Sequence, residues 1–204
     1  MDGITSTPAP INEPTLHYAP GSPERSALRA ELSRLSAITH DLPATIGGEQ
    51  VAGEGPEISV VEPHNHAHVL GVLGSTTQAQ AARAIEAAKE AAPAWRDLPL
   101  DERAAILLKA ADLLAGPYRA TLNAATMLGQ SKTAWQAEID SACELIDFWR
   151  FNAHFAKQIV AEQPAANSPG IWNRMDHRPL EGFVYAITPF NFTAIAGNLP
   201  TAPA

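Results

Sequence analysis

Apolar residues recur with a helical period along much of the chain, most clearly between Thr133 and Glu162. Over that stretch an apolar stripe returns every three to four residues, as one buried face of a helix requires. Its members are Trp135, Ile139, Ala142, Ile146, Trp149, Ala153, Ala156 and Val160. At about 1.5 Å per residue, such a helix spans roughly 45 Å. The pattern predicts one long helix with a continuous apolar stripe, which needs a large partner surface.

The first segment of the chain has a different character. Up to about Pro23 it is rich in Pro, Ser and Thr, which is typical of an extended arm or a disordered tail. Ser22 followed by Pro23 is a helix start signal. Apolar residues then fall on one helical face, namely Leu28, Leu32 and Leu35. We therefore divide the chain into an N-terminal arm and helix, residues 1–40, and a main domain, residues 41–204.

Residues 42–75 show strand signals, because short β-rich runs alternate there with Gly and Pro. The runs are Ala44–Ile46, Ile58–Val61 and Val69–Leu73. The pattern predicts a strand meander of three short strands, placed between the first helix and the helices that follow.

Helices are predicted over residues 77–163, ending with the long one. The first covers about Ala79–Ala92, and Pro93 is expected to end it. The next begins near Pro99 and is broken at Gly116, where Pro117 follows. Its predicted apolar face holds Ile106, Leu107, Ala110, Leu113 and Leu114.

The pattern changes again after a loop at residues 164–170. A strand pair is predicted over residues 171–187, and its second strand, Phe183–Ile187, is apolar enough to be buried in a sheet. A helix start is predicted over residues 193–204. The mixture of strands and helices indicates an α/β fold.

Asn191 occupies the turn between that strand and that helix start. α/β enzymes hold ligands where strands end and helices begin. A fixed side-chain amide N–H at such a place stabilises a developing oxyanion. An Asn after a strand is also a common turn residue, so the residues alone leave both interpretations open.

Composition and charge limit the classes of partner. A hydrophobic fraction of 46% and a charged fraction of 18% are typical of a globular protein. The net charge of -8, without a basic cluster, disfavours binding to nucleic acid or to an anionic membrane. No apolar run is long enough to span a bilayer, and the N-terminus lacks the apolar core of a signal peptide. A cytoplasmic protein is expected.

Cys143 is the single cysteine, and it lies beside the apolar stripe of the long helix, which favours a packed thiol over a nucleophile. His64, His66 and His68 alternate along the chain, but no Cys or carboxylate has matching ligand spacing. A solvated turn is the preferred interpretation, and no metal site is predicted. The acidic rows of the long helix are interpreted as a solvated face; they are Asp140, Glu144 and Asp147.

Several segments resemble one enzyme family. Ala186–Phe192, followed by Gly197–Pro200, resembles the signature of the aldehyde dehydrogenase superfamily. Upstream segments resemble the 1-pyrroline-5-carboxylate (glutamate semialdehyde) dehydrogenases of that superfamily over most of the chain from about residue 40. They are Met127–Lys132, Gln136–Asp140, Glu144–Asn152, Asn173–Arg174 and Arg178–Phe183. The fold implied is the N-terminal part of the aldehyde dehydrogenase fold: an incomplete nucleotide-binding domain plus strands of the oligomerisation domain.

The resemblance implies a site and a cofactor. Asn191 matches the catalytic oxyanion stabiliser. Phe192 matches an aromatic that packs on the aliphatic part of the substrate. Glu138 matches a carboxylate near the substrate pocket, suited to the α-ammonium of glutamate semialdehyde, although a helix-surface charge is its other interpretation. The stretch that lines the nicotinamide pocket of NAD is matched by Ile187, Thr188, Pro189 and Phe190.

The implied reaction is oxidation of L-glutamate γ-semialdehyde to L-glutamate with NAD, in proline degradation, by a homo-oligomer. The family's nucleophilic Cys, general-base Glu and adenosine-side motif are expected after Ala204, so the chain alone is expected to be inactive, and NADP stays open as the cofactor. Two alternatives remain from the sequence. One is an aldehyde dehydrogenase of other substrate specificity, and the other is a truncated, non-catalytic oligomerisation or binding module.

Overall fold

A computed structural model describes residues 6–199 and 201. Its helices and strands follow one another in a fixed order. The N-terminal half holds α1 (Pro23–Ser36), β1 (His40–Asp41), β2 (Ala44–Ile46), β3 (Glu49–Val51), β4 (Glu57–Glu62) and β5 (Asn65–Gly74). The remainder holds α2 (Gln78–Asp97), α3 (Leu100–Ala115), α4 (Arg119–Gln130), α5 (Ala134–Ala137), a π-helical turn (Glu138–Cys143), α6 (Glu144–Ala161) and a 3₁₀ helix (Ile195–Asn198).

The start of α1 confirms the predicted cap. The side chain of Ser22 accepts a hydrogen bond from the backbone N–H of Arg25 at 3.3 Å, which satisfies one of the donors that a helix start leaves free. Leu28 is buried on the face that meets α4. Of the described residues before α1, those from Asn12 to Tyr18 form an extended arm, which is held in place by contacts with α4, the π-helical turn and α6.

The strand region is richer than the predicted meander of three strands, because two short strands were missed. β2 and β3 pair antiparallel around Gly47 and Gly48, whose φ values of +61° and +84° suit a tight hairpin turn. β4 and β5 form a second antiparallel hairpin, and β1 joins β5 in parallel. β3 and β1 escape prediction because they are short and polar, and β1 has two residues only.

Two helix predictions require correction. α2 does not end at Pro93 but continues to Asp97. A proline inside a helix removes one backbone hydrogen bond and crowds the preceding turn, and α2 tolerates this near its C-terminal end. In α3 the predicted face residue Leu114 is buried, whereas the predicted face residues Ile106 and Leu113 are exposed. The other two buried residues are the alanines Ala104 and Ala111, so the buried face of α3, which packs on α6, only partly matches the predicted one.

The long helix has the predicted bounds, since helical residues run without a gap from Ala134 to Ala161, but a π-helical turn inside it was not predicted. α5 begins with a capping box in which Thr133 and Gln136 bond each other's backbone N–H groups, and the π-helical turn then separates it from α6. A π turn contains more residues than an α turn, so the side that faces the core shifts along the helix. Consequently Ile146 is fully buried while Trp135, in the same predicted stripe, is 51% exposed.

The main core lies between α3, the π-helical turn, α6 and the segment just before the 3₁₀ helix. Its buried members are Ala111, Leu114, Ala142, Leu145, Ile146 and Ala194. Three of these six side chains are alanines, so the backbones can approach one another closely at those positions. Ala194 belongs to this cluster, which fixes the C-terminal segment that carries Asn191 and Phe192 against α6.

The predicted strand pair at residues 171–187 is not formed. The described residues there have no strand partner, and Tyr185 and Ile187 are 78% and 73% exposed. A strand is stable only when neighbours bond its edges and cover its apolar face, and the described part of the chain supplies neither. The predicted helix start at 193–204 is represented by the 3₁₀ helix, while residues 200 and 202–204 lie outside the described residues.

None of the helices within the described ranges combines the length and the hydropathy that crossing a lipid bilayer requires.

Candidate active site

Asn191 lies in an exposed turn that precedes the 3₁₀ helix. Its side-chain amide makes no hydrogen bond with another described residue, whereas the amide of nearby Asn198 donates to the backbone oxygen of Ile195 at 2.6 Å. Asn191 therefore has an available N–H donor and Asn198 has a structural one. An available donor is what an oxyanion needs, provided that a reacting carbonyl can reach it.

The four residues before Asn191 are exposed and carry no charge. Among them Ile187 is 73% and Phe190 is 94% exposed, although both are large apolar side chains. The other two members of the set are Thr188 and Pro189. Exposed apolar side chains grouped in one segment mark a surface that a ligand or another part of a protein covers.

Phe192 connects this segment to the loop after α4. The ammonium of Lys132 lies 4.2 Å from the centroid of the Phe192 ring, a distance suited to a cation–π contact. Lys132 also donates a hydrogen bond from Nζ to Oδ2 of Asp140 at 2.5 Å. The residue before it, Ser131, ends α4 in the left-handed conformation with φ 53°, which turns the chain and directs Lys132 toward Phe192.

Glu144 is the carboxylate on this side of the helix that sequence reasoning missed. Burial raises the pKa of its carboxyl above the ordinary value, the charge of Asp140 adds to the effect, and Lys132 opposes it. No hydrogen bond or ion pair joins its side chain to another residue in the described part of the chain. The available signal was its position four residues after Asp140, one helical turn further along the same face.

Glu138, the carboxylate that the resemblance assigns to the substrate pocket, is fully buried. Both of its oxygens accept hydrogen bonds from other elements. The donors are the guanidinium of Arg119, Nδ2 of Asn123 at 2.8 Å, the Tyr18 hydroxyl at 2.6 Å and the backbone N–H of Leu16 at 2.7 Å. A substrate ammonium has no free oxygen to approach here. The expected contact between Glu138 and substrate does not fit this arrangement.

Charge and burial compete at this carboxylate. Burial alone would raise the pKa of Glu138, but the hydrogen bonds from Arg119 and Tyr18 outweigh it and lower the pKa below the ordinary value. Burial opposes the charge of Arg119 as well, yet Glu138 and Glu13 together raise its pKa. Tyr18 has a raised pKa because it is buried and because its hydroxyl donates to a carboxylate. Arg119 and Glu138 are therefore both charged at neutral pH, whereas the hydroxyl of Tyr18 is neutral.

Cys143 closes the π-helical turn next to this pair. Its sulfur lies 3.5 Å from Nη2 of Arg119 and 3.7 Å from Oε1 of Glu138. Burial, followed by the charge of Glu138, raises the pKa of the thiol to about 11. Because the thiolate is the nucleophilic form, a buried thiol with this pKa is inert at neutral pH. The interpretation of Cys143 as a packed thiol fits this environment.

The alternating histidines lie on the β4–β5 hairpin, far along the chain from Asn191. Nδ1 of His68 lies 3.1 Å from Oε1 of Glu62, and Nδ1 of His64 lies 2.7 Å from the hydroxyl of Ser131. His66 is exposed. Within residues 6–199 and 201, no three His, Cys, Asp or Glu side chains are grouped to hold a metal ion. His64 and His68 join the hairpin to its neighbours, because His68 also lies 2.9 Å from the backbone oxygen of Ser36.

Comparison with known proteins defines the family. The chain belongs to the aldehyde dehydrogenase family, whose sequence profile matches residues 50–204. It is 48% identical over 198 residues to the delta-1-pyrroline-5-carboxylate dehydrogenase of Agaricus bisporus, covering 97% of this chain and 36% of that protein. It is 49% identical over 193 residues to the mitochondrial delta-1-pyrroline-5-carboxylate dehydrogenase of Bos taurus, covering 95% of this chain and 34% of that protein.

Solved structures agree with this membership. The delta-pyrroline-5-carboxylate dehydrogenase from Mycobacterium tuberculosis bound with NAD superposes with a TM-score of 0.97 at 62% identity, covering 100% of this chain and 38% of that chain. The 1-pyrroline-5-carboxylate dehydrogenase from Thermus with bound NAD gives a TM-score of 0.71 at 30% identity, covering 82% and 32%. The fold is therefore the N-terminal part of the aldehyde dehydrogenase fold, and the chain spans about a third of the length of the curated relatives it matches.

Proposed function

We propose that this chain is part of an enzyme that oxidises L-glutamate γ-semialdehyde to L-glutamate with NAD, a reaction of proline degradation. The observation that carries the proposal is the arrangement around Lys132. Its ammonium packs on Phe192, beside Asn191, and its charge acts on Glu144, which forms no hydrogen bond or ion pair with another described residue. The names and the identities of the relatives from Mycobacterium tuberculosis and Agaricus bisporus support the same substrate.

Each side chain of this group suits one part of the proposed substrate. The ring of Phe192 offers an apolar face to the aliphatic carbons. Glu144 offers a carboxylate to the α-ammonium, and we propose it for the role that the family resemblance implied for Glu138, whose oxygens are both hydrogen-bonded to other groups. Asn191 offers an available amide N–H to the oxygen of the aldehyde as that oxygen gains negative charge.

The residues present fit the nicotinamide end of NAD. Ile187 and Phe190 are exposed and apolar, and the uncharged stretch from Ile187 through Phe190 leads directly to Asn191. We propose that this stretch, which includes Thr188 and Pro189, lines the nicotinamide pocket. When bound, NAD supplies the acceptor for the hydride that leaves the substrate carbon. The solved relatives from Mycobacterium tuberculosis and Thermus are described as binding NAD.

The remaining chemistry is assigned to other parts of the enzyme. Oxidation of an aldehyde to a carboxylate removes two electrons and adds one oxygen from water. A nucleophile that first bonds the aldehyde carbon divides this into easier steps. Cys143 is unsuited to that role because it is buried and its pKa is raised to about 11. We expect the nucleophile and the base that activates water in the two thirds of the relatives that this chain does not span.

Assembly and location are part of the same proposal. A homo-oligomer is supported by the apolar side chains left exposed between residues 171 and 185, because such surfaces are normally covered. They include Ile171, Trp172, Phe183 and Tyr185. A cytoplasmic location stays a prediction, since the relatives from Bos taurus and Emericella nidulans are named as mitochondrial.

The proposal is tested with the full-length protein that contains this chain. NADH formation is followed with L-glutamate γ-semialdehyde and with 5-oxopentanoate, a substrate of the same chain length that lacks the amino group. We expect a higher kcat/KM for the amino substrate. We also expect Glu144→Gln to narrow that preference by raising KM for the amino substrate only. Equal use of the two aldehydes by the unsubstituted enzyme would contradict the substrate assignment.

A further inference from the structure

Glu138 lies at the centre of a group of contacts for which the proposed reaction has no use. Its buried carboxylate accepts hydrogen bonds from Arg119, Asn123, Tyr18 and the backbone N–H of Leu16. A buried carboxylate without such partners would be costly. These contacts therefore fix the position of Glu138 relative to both α4 and the N-terminal arm.

The N-terminal arm also contacts this group through Glu13. The two oxygens of Glu13 accept hydrogen bonds from Arg119 and Arg150, which lie on α4 and α6. The backbone N–H of Glu13 and Nδ2 of Asn12 each donate to Asp147 on α6 at 2.7 Å. Residues 12–18 of the arm thus tie α4 to α6. We call the five side chains that form this tie the clasp; they are Glu13, Tyr18, Arg119, Glu138 and Arg150.

The clasp holds both ends of the π-helical turn. Glu138 begins the turn and Cys143 ends it, and both contact the same guanidinium nitrogen of Arg119. π-helical turns are rare and are frequently found at functional sites, because they change the direction in which following side chains point. Anchoring the two ends of the turn determines where the residues between and immediately after them project.

Two of those residues belong to the site around Lys132. Asp140 comes two residues after Glu138, so it projects from the other side of the turn, and there it accepts the hydrogen bond from Lys132. Glu144 is the first residue after the turn. The clasp and the proposed binding place of the substrate ammonium are therefore on two sides of one turn, without any contact between clasp and substrate.

We propose that Arg119, acting through Glu138, and the arm residues Glu13 and Tyr18 are positioning residues for the substrate ammonium. They hold the π-helical turn in the register that places Asp140 on Lys132 and directs Glu144 toward the site. The inference rests on the proposed function and assigns to the arm a part in substrate selection.

The test uses the full-length enzyme with Glu13→Gln and Tyr18→Phe combined, because these changes loosen the arm while the buried Arg119–Glu138 pair remains. We expect KM for L-glutamate γ-semialdehyde to rise severalfold, kcat to change less, and KM for NAD to stay the same. A purely structural defect lowers the active fraction, which reduces kcat and leaves KM unchanged. Arg34→Gln, in an exposed pair with Glu31 outside the clasp, is the control and should behave as wild type.

A second measurement detects loosening of the clasp independently of enzyme activity. Alkylation at Cys143, quantified on its own peptide by mass spectrometry, should be slow in the wild type and faster in the double variant, because Pro14 of the arm lies over the sulfur. Arg119→Lys keeps the charge but loses the fork that bonds Glu13 and Glu138 together, and it should give the same two changes.

The outcomes separate the two proposals. A wild-type KM for the semialdehyde in the variants overturns the positioning role, whether or not Cys143 becomes reactive. Unchanged alkylation overturns it as well, because the arm would then not be released. If the unsubstituted enzyme fails to oxidise the semialdehyde, the proposed function fails and this inference fails with it.

Discussion

Arg119 and Glu138 form an ion pair that is almost fully removed from water, with side-chain exposures of 8% and 0%. Breaking such a pair by removing one partner leaves an uncompensated buried charge, which destabilises a protein by about 3–5 kcal/mol. We expect Arg119→Met to lower the free energy of unfolding by that amount, measured by urea unfolding of the full-length protein.

Arg34→Met provides the matched comparison, because Arg34 is 53% exposed and its pair with Glu31 lies on the surface of α1. Exposed pairs contribute about 0–1 kcal/mol. Equal losses for the two variants would show that the Arg119 pair is no more important than a surface contact.

The pH dependence of stability follows from the lowered pKa of Glu138. An unfolded glutamate titrates at a pKa of about 4.3. Since the folded pKa is lower, the ion pair contributes its full stability above the unfolded pKa and loses it as the pH falls through the folded pKa. We expect the difference in unfolding free energy between wild type and Glu138→Gln to be constant from about pH 5 to about pH 8. It should shrink below about pH 4. A difference that grows on acidification would contradict this account.

The pKa of Glu144 is shifted in the opposite direction to that of Glu138, and a binding measurement can detect this shift. Its pKa is raised, first by burial and then by Asp140, while Lys132 lowers it. The ionised form should bind the substrate ammonium, so KM for the semialdehyde should rise as the pH falls through that raised pKa. Lys132→Met should move the inflection of the KM profile to higher pH, and Lys132→Arg should leave it near that of wild type. A profile that is the same in all three proteins would exclude Glu144 from substrate binding.

Much of the local structure could be predicted from the sequence, and the exceptions have physical causes. The cap at Ser22 and the hairpin glycines are local signals, and they are confirmed. The π-helical turn within the long helix has no signal in the local sequence. It accompanies contacts between Glu138 and residues 120 or more positions earlier, such as Leu16 and Tyr18. The strand pair at 171–187 failed for a related reason, because a strand requires neighbours and its own sequence does not reveal whether they are present.

The residues of the candidate site also fall into those that a local motif suggests and those that depend on contacts in the folded chain. The segment Ile187–Phe192 could be proposed from the sequence because its motif is contiguous, and its role stays a prediction. Our proposal of Glu144 in place of Glu138 could not be made from the helix alone, since both are acidic and six residues apart. It depends on which carboxylate is already bonded to Arg119, and that is a property of the folded chain.

We expect the thiol of Cys143 to take no part in the reaction. Cys143→Ser should leave kcat within about twofold of wild type, because the thiol is buried and its raised pKa of about 11 keeps it protonated. A modest loss of stability, about 1–3 kcal/mol, is expected from burying a hydroxyl in its place. Complete loss of turnover in a correctly folded Cys143→Ser protein would show that the thiol takes part in the reaction.

The central claim is that Asn191 stabilises the oxyanion in an aldehyde-oxidising site, and it is tested most directly by Asn191→Ala in the full-length enzyme. Removing one oxyanion donor costs about 10²–10³ in kcat. We expect a loss of that size with L-glutamate γ-semialdehyde, while KM for NAD and thermal stability stay near wild type. Asn167→Ala, an exposed amide outside the site, is the control. An Asn191→Ala enzyme that turns over as fast as wild type would contradict the account.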